Sequence, residues 1–286
     1  MNYEFLPLSL FYRKVVMFTG IALLISVYSI GAAASDQTKF DRITNMDELM
    51  SRLPVPNVNT RGIGIFVYDG MYFQDALGPL QVFKSAGLNA FLIAKQKGTV
   101  TVSSGLTIAV NKSIDDFNEL DVLLIPGGAL ATAAQTIDPV TLNWIRKIDE
   151  SSLYTTSVCT GAWILGAAGL LEGKKASTHW YRAEEMLTKY GATYTGKRWT
   201  THGKYWTSAG VTGGVDMALA LVNHWFGKQY TQAVMLDMEY NPKPPVQGGS
   251  PNKSDKTIAK MMKDMYDHFL IKFINCPLGT PGACLF

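Results

Sequence analysis

Runs of apolar residues bounded by glycine, proline and short polar pieces recur from residue 62 onward. Gly62 to Tyr68 is a near-continuous apolar run of the kind that a strand buried on both faces requires. Asp75 to Ala86 has helical spacing and Asn89 to Ala94 reads as a second strand. Val100 to Val102 and Leu106 to Val110 flank Ser103-Ser104-Gly105, which predicts a hairpin. Asp121 to Ile125 is another buried-type strand, and it runs into Pro126-Gly127-Gly128. A helix is predicted over Pro139 to Glu150, a strand over Leu153 to Val158, and a helix over Ala162 to Leu171. Beyond these, Lys175 to Thr178 reads as a short strand, Arg182 to Tyr190 as a helix, and Thr193 to Ser208 as a polar hairpin or extended section. Apolar helices follow at Val215 to Phe226 and Thr231 to Tyr240, then a Pro/Gly-rich arm to Pro251 and a last helix over Lys256 to Phe273.

Strands alternating with helices predict an α/β domain whose mainly parallel sheet has helices on both faces, a flavodoxin-like three-layer sandwich. In such sheets the reactive groups lie beyond the carboxyl ends of the strands. Three strand ends here lead to residues capable of chemistry: the segment up to Asp75, the Gly127-Gly128 pair, and Cys159.

The third is the most informative. Ser157-Val158-Cys159-Thr160-Gly161 joins an apolar strand to a Gly/Ala/Leu-rich helix, so the cysteine stands at a sharp corner beside the first free N–H groups of that helix. This is a nucleophile elbow with Cys in place of Ser, and the helix N-terminus is expected to favour thiolate. A small buried structural cysteine is the alternative. Asp75 could act with the thiol as a proton donor or acceptor, or serve only as a helix cap. Gly127 and Gly128 could present N–H groups to developing negative charge, or form a plain turn.

The chain has 286 residues, with 26 basic and 23 acidic side chains. Residues 1–34 hold Arg13, Lys14 and Glu4, so the remainder carries 24 and 22, a net charge of +2. That balance argues against a nucleic-acid partner held by bulk charge. Arg13-Lys14, the uncharged apolar stretch Val15 to Ile30 and the small-residue run Gly31 to Ser35 have the form of a cleaved secretory signal. The chain is therefore expected to be secreted or periplasmic. If residues 15–34 are retained, about 20 residues suffice for a membrane anchor. Residues 35–60 read as a linker, 61–250 as the folded domain, and 251–286 as a C-terminal helix and tail. Cys276 and Cys284 flank a turn-forming loop and are candidates for a disulfide in an oxidising compartment. Neither His-Glu-x-x-His nor Cys-x-x-Cys occurs, and no metal or cofactor is predicted.

Three separated segments together resemble the PfpI family of the class I glutamine amidotransferase-like superfamily. They are Asp75-Ala76-Leu77-Gly78-Pro79-Leu80-Gln81-Val82-Phe83, Leu123-Leu124-Ile125-Pro126-Gly127-Gly128, and Val158-Cys159-Thr160-Gly161 with Leu165 to Leu171 and Thr178-His179-Trp180. Glu239-Tyr240-Asn241-Pro242 with Pro244-Pro245 adds to the match. The branch most alike holds isonitrile hydratase and the amidase-like domains of AraC-type regulators. The resemblance implies a homodimer, a small-molecule substrate, Cys159 as nucleophile and Asp75 as its acidic partner. It implies attack of Cys159 on an isonitrile carbon, giving a thioimidate that water releases as an N-substituted formamide. It places Thr160 where the peptidase branch has His, which counts against a Cys-His peptidase. His179 falls where other branches keep a histidine, and is either a site residue or a structural one. Trp180 walls the pocket or belongs to the core. Gln81 stands where the family commonly has Glu, so any role of that Glu is in doubt here. An exported ligand-binding sensor without catalysis, and a glyoxalase-like or redox-stress protein using the same cysteine, are the other readings.

Overall fold

A computed structural model describes residues 61–278 of the chain. The predicted leader, the linker and Cys284 of the predicted disulfide lie outside the described residues.

Six strands form the central sheet: β1 (Ile63–Phe66), β2 (Ala90–Ile93), β5 (Val122–Ile125), β6 (Tyr154–Val158), β9 (Trp199–His202) and β10 (Tyr205–Ser208). Their order is β2-β1-β5-β6-β10-β9, parallel throughout except for the β9–β10 pair. Every residue of β1 and β5 is buried, as their unbroken apolar runs require. Two short ladders stand apart, the predicted hairpin β3 (Gly98–Thr101) with β4 (Thr107–Val110), and β7 (Lys175–Ala176) with β8 (Thr193–Tyr194).

Strand order reverses between β1 and β5. The crossover through α1 (Phe73–Ser85) therefore runs one way along the sheet, and that through α3 (Pro139–Ser151) runs the other. Right-handed crossovers then put the two helices on opposite faces. Helix α6 (Thr212–Asp237) returns to pack on α1, while α4 (Gly161–Ala167) packs with α2 (Leu130–Gln135), α3 and α5 (Ala183–Lys189). The result is the predicted three-layer arrangement.

Several boundaries differ from the sequence pattern. Helix α4 stops at Ala167 and not at Leu171, because Gly169 turns to φ +80° and Leu170 N–H closes back on the Leu165 carbonyl. The helix α2 has no counterpart in the pattern. The two helices expected over 215–226 and 231–240 run together as α6, interrupted at Gly227 (φ 79°, ψ 177°). The polar section 193–208 does contain a hairpin, β9 with β10, but it lies in the main sheet, and Trp206, Thr207 and Ser208 are buried.

The C-terminal helix α7 (Lys256–Ile274) starts at Asp255, whose side chain accepts from Thr257 N and Ile258 N. It is part of the folded body and not an appendage. Leu270, Phe273 and Ile274 share a core cluster with Trp163, Tyr181, Met186 and Tyr190. Lys189 Nζ donates to the carbonyls of Phe273, Ile274 and Cys276, which satisfies the end of the helix. Among the described residues no helix is long and apolar enough to cross a membrane.

Candidate functional site

Cys159 follows directly on β6 and leads into α4. Its φ is +60°, a left-handed conformation that costs a non-glycine residue on the order of 1–3 kcal/mol and persists only where neighbours enforce it. The enforcement is visible on both sides. Cys159 N–H donates to the carbonyls of Ser208 (3.1 Å) and Ala209 (3.2 Å) at the end of β10, and the Thr178 hydroxyl donates to the Cys159 carbonyl at 2.8 Å. Ala129, Arg182 and Val211 also have positive φ, and each flanks a segment that contributes to this region.

Asp75 lies in the first turn of α1 and is fully buried. The capping role is not what it does, since the cap position is Tyr72 and no side chain caps the helix. Its carboxylate instead accepts from Gly127 N–H at 3.1 Å and from Val211 N–H at 2.9 Å, and hydrogen-bonds the Cys159 thiol. Burial pushes the Asp75 carboxyl up to about 7, against the pull of those two N–H groups and the thiol.

Cys159 is 1% exposed. Burial, then the charge of Asp75, pushes its thiol well above the usual range, while the backbone N–H and hydroxyl of Thr160 act in the opposite sense. The expected preference for thiolate at the helix N-terminus is thus overridden. Helix α4 has seven residues, and its N-terminus does not outweigh desolvation plus a neighbouring carboxylate. Near pH 7 Asp75 can take up or release a proton, while Cys159 remains a thiol hydrogen-bonded to it.

Gly127 and Gly128 do reach the cysteine, but not as free donors. Gly127 N–H is taken by Asp75, and Gly128 N–H by Thr160 Oγ1 at 3.1 Å. Both groups thus have internal acceptors in place, beside the cysteine. What Gly127 supplies is close approach, because a Cβ there would sit 2.6 Å from Thr160 N and 2.8 Å from Cys159 Cβ.

Thr160 belongs to a chain of hydroxyls. Its Oγ1 accepts from Gly128 N–H and Ala129 N–H and meets Thr132 Oγ1 at 2.8 Å. Thr132 Oγ1 meets the Tyr68 hydroxyl at 3.1 Å, and Tyr68 donates to the Pro126 carbonyl at 2.9 Å. One proton per hydroxyl fixes Thr132 as donor to Tyr68, and leaves the Thr160 proton to Thr132 or to the Cys159 sulfur.

His179 stands beside the cysteine across Gly210: a Cβ on Gly210 would lie 3.4 Å from His179 Cδ2 and 3.7 Å from Cys159 Sγ. Burial lowers the imidazole to about 4, so the ring is neutral at physiological pH. Trp180 stacks obliquely on it at 5.4 Å between centroids. Tyr266, from α7, closes on both at 5.2 and 5.8 Å. Tyr266, Tyr72, Thr132, Tyr68 and the Val211 N–H have no motif in the sequence that marks them. Gln81 is exposed on α1 and donates to Ser85 Oγ. Among the described residues no three His, Cys, Asp or Glu side chains converge as a metal site.

Residues 61–224 match the DJ-1/PfpI family. The chain is 36% identical to the isonitrile hydratase of Pseudomonas putida over 198 residues, which is 69% of this chain and 86% of that protein. It is 27% identical to the HTH-type transcriptional regulator CdhR of Pseudomonas aeruginosa, over 56% of this chain and 48% of that protein. Among solved structures, a THiJ/PfpI family protein from Pseudomonas syringae superposes with a TM-score of 0.75 at 32% identity, covering 83% of this chain and 98% of that one.

Proposed function

The chain belongs to the DJ-1/PfpI family, and we propose on that basis that it is an enzyme that hydrates isonitriles to N-substituted formamides through Cys159. One observation carries the reading: a buried carboxyl with a value of about 7 shares a hydrogen bond with a buried thiol on a strained elbow. The similarity to an isonitrile hydratase over most of that protein's length supports it.

An isonitrile is neutral and compact, with an electrophilic terminal carbon that ends as C–H in the product. Such a substrate suits a thiol that burial keeps protonated. Asp75 takes the thiol proton as sulfur bonds to the isonitrile carbon, then delivers it to that carbon. The C–S and C–H bonds form, and a thioimidate results. Asp75, again a carboxylate, removes a proton from water as the oxygen adds to the thioimidate carbon, and passes that proton to the nitrogen. Asp75 then takes the proton of the new hydroxyl as the C=O forms and the C–S bond breaks, and returns it to sulfur, which gives the formamide and regenerates the thiol. The sum is isonitrile plus water, with no oxidant or reductant. A carboxyl at about 7 is suited to both halves, because it gives and takes protons at similar cost. Thr160 N–H, directed at sulfur, supports the charge that sulfur gains as it leaves.

The test is formamide production from a simple alkyl isonitrile, followed by NMR. Wild type should turn over, Cys159→Ala should give no product, and Asp75→Asn should lose at least about 100-fold, the low end of what a positioned acid–base group contributes. Normal turnover by Cys159→Ala would refute the reading. So would absence of product from a wild-type protein whose Cys159 still alkylates.

A further inference from the structure

A distant piece of chain packs beside the site, against His179 and Trp180. Helix α7 docks through Leu270, Phe273 and Ile274, and Tyr266 lies one turn before Leu270 on the same side. Its neighbour Asp267 holds that turn in place, accepting from the Tyr181 hydroxyl and Arg182 Nε at 2.7 Å each and from Lys263 Nζ. The Tyr266 ring is thus fixed against His179, Trp180 and Tyr181, with centroids 5.2, 5.8 and 5.0 Å away. Its hydroxyl bonds that of Tyr72, three residues before Asp75, and lies within electrostatic reach of Cys159 and Asp75. Tyr72 is anchored in turn by its N–H to the Gly127 carbonyl at 2.8 Å. Rings from the segment after β7 and from the loop before α1 are therefore joined, beside the cysteine, by one tyrosine of α7.

We infer that Tyr266, with Tyr72, is a specificity-determining residue that limits the bulk of what reaches Cys159. The inference rests on the isonitrile reading for its substrate class: N-substituents unbranched next to nitrogen are admitted, and globular ones are rejected. The rings are locked by neighbours on two sides, so a branched substituent cannot push them aside without breaking the Tyr72 bond or the Asp267 clamp.

The experiment compares two isomers of equal composition, n-butyl and tert-butyl isonitrile, in wild type and Tyr266→Ala. Removing the ring should raise the tert-butyl to n-butyl ratio of kcat/KM by about 10-fold or more, the scale on which a pocket discriminates by steric fit. A merely structural loss would lower both rates and leave their ratio alone. A second readout does not need turnover: the rate of Cys159 alkylation by N-tert-butyl iodoacetamide relative to iodoacetamide should rise in the same variant. A rise in the alkylation ratio with no turnover of either isonitrile would uphold the bulk limit and reject the isonitrile reading. Unchanged ratios in a folded Tyr266→Ala protein would overturn the inference. If that variant does not fold, Tyr72→Ala tests the same bridge from its other end, and the same ratios decide.

Discussion

Replacing Asp75 by asparagine should make the protein less active and, above neutral pH, more stable. A carboxyl whose native value is raised binds its proton more tightly folded than unfolded. The stability this provides is complete below about pH 4 and is lost as pH rises through about 7. A rise from 3.8 to about 7 is worth roughly 4 kcal/mol, at about 1.4 kcal/mol for each tenfold change in proton affinity. The amide of the Asp75→Asn variant carries no charge and escapes that loss. It can accept from only one of the two N–H groups now served, so it turns its NH2 toward Gly127 or Val211 N–H at a cost of about 1–3 kcal/mol. The net at pH 8 is a variant about 1–3 kcal/mol more stable than wild type. The slope is the more robust quantity: between pH 5 and pH 8 wild type should lose about 3 kcal/mol that the variant keeps. Urea unfolding at half-unit pH steps, with equal m-values, measures it. Parallel stability curves would refute the reasoning, since they would mean that Asp75 titrates as an ordinary surface carboxyl.

Two further outcomes follow from the same geometry. Gly127→Ala forces a methyl to within 3 Å of Thr160 and Cys159. It should cost about 2 kcal/mol or more, seen as a fall in Tm of about 4–8 °C, with loss of activity; an unchanged Tm would show that the loop yields freely. His179, held at about 4 by burial, should show flat imidazole proton shifts by NMR from about pH 5.5 to 8, and a midpoint of about 6.5 would mean that the ring is open to water.

The frame of the fold was legible because buried parallel strands leave continuous apolar runs, as at Gly62 to Tyr68 and Asp121 to Ile125. The elbow was legible because a strand must end and a helix begin within two residues of Cys159. Helix α2 was not, since its six residues start from Ala129 at φ 48° with no capping side chain to mark the turn. The length of α4 was misjudged because Gly169 reads equally well inside a Gly/Ala helix or just past its end. The environment of the thiol was not legible for a different reason. A helix N-terminus is local and visible in the sequence, whereas the burial that opposes it involves segments as far apart in the chain as Asp75, Gly127 and Gly210. Tyr266 was invisible by the same logic: it lies 107 positions after Cys159, and only the docking of α7 brings it to the site.

Asp75 reaches across most of the domain, and that reach governs when the site is assembled. Its two backbone partners are 52 and 136 positions away, and the second follows the last strand of the sheet. A polypeptide that has emerged only as far as α5 has no β10 to receive the Cys159 N–H and no Val211 to orient the carboxylate. Its thiol is then that of an ordinary cysteine, titrating at about 8.5 and open to water. Competence therefore waits on contacts that are among the longest-range in the domain. During synthesis the sulfur meets the cell as a commonplace side chain, and only the finished architecture gives it chemistry of its own.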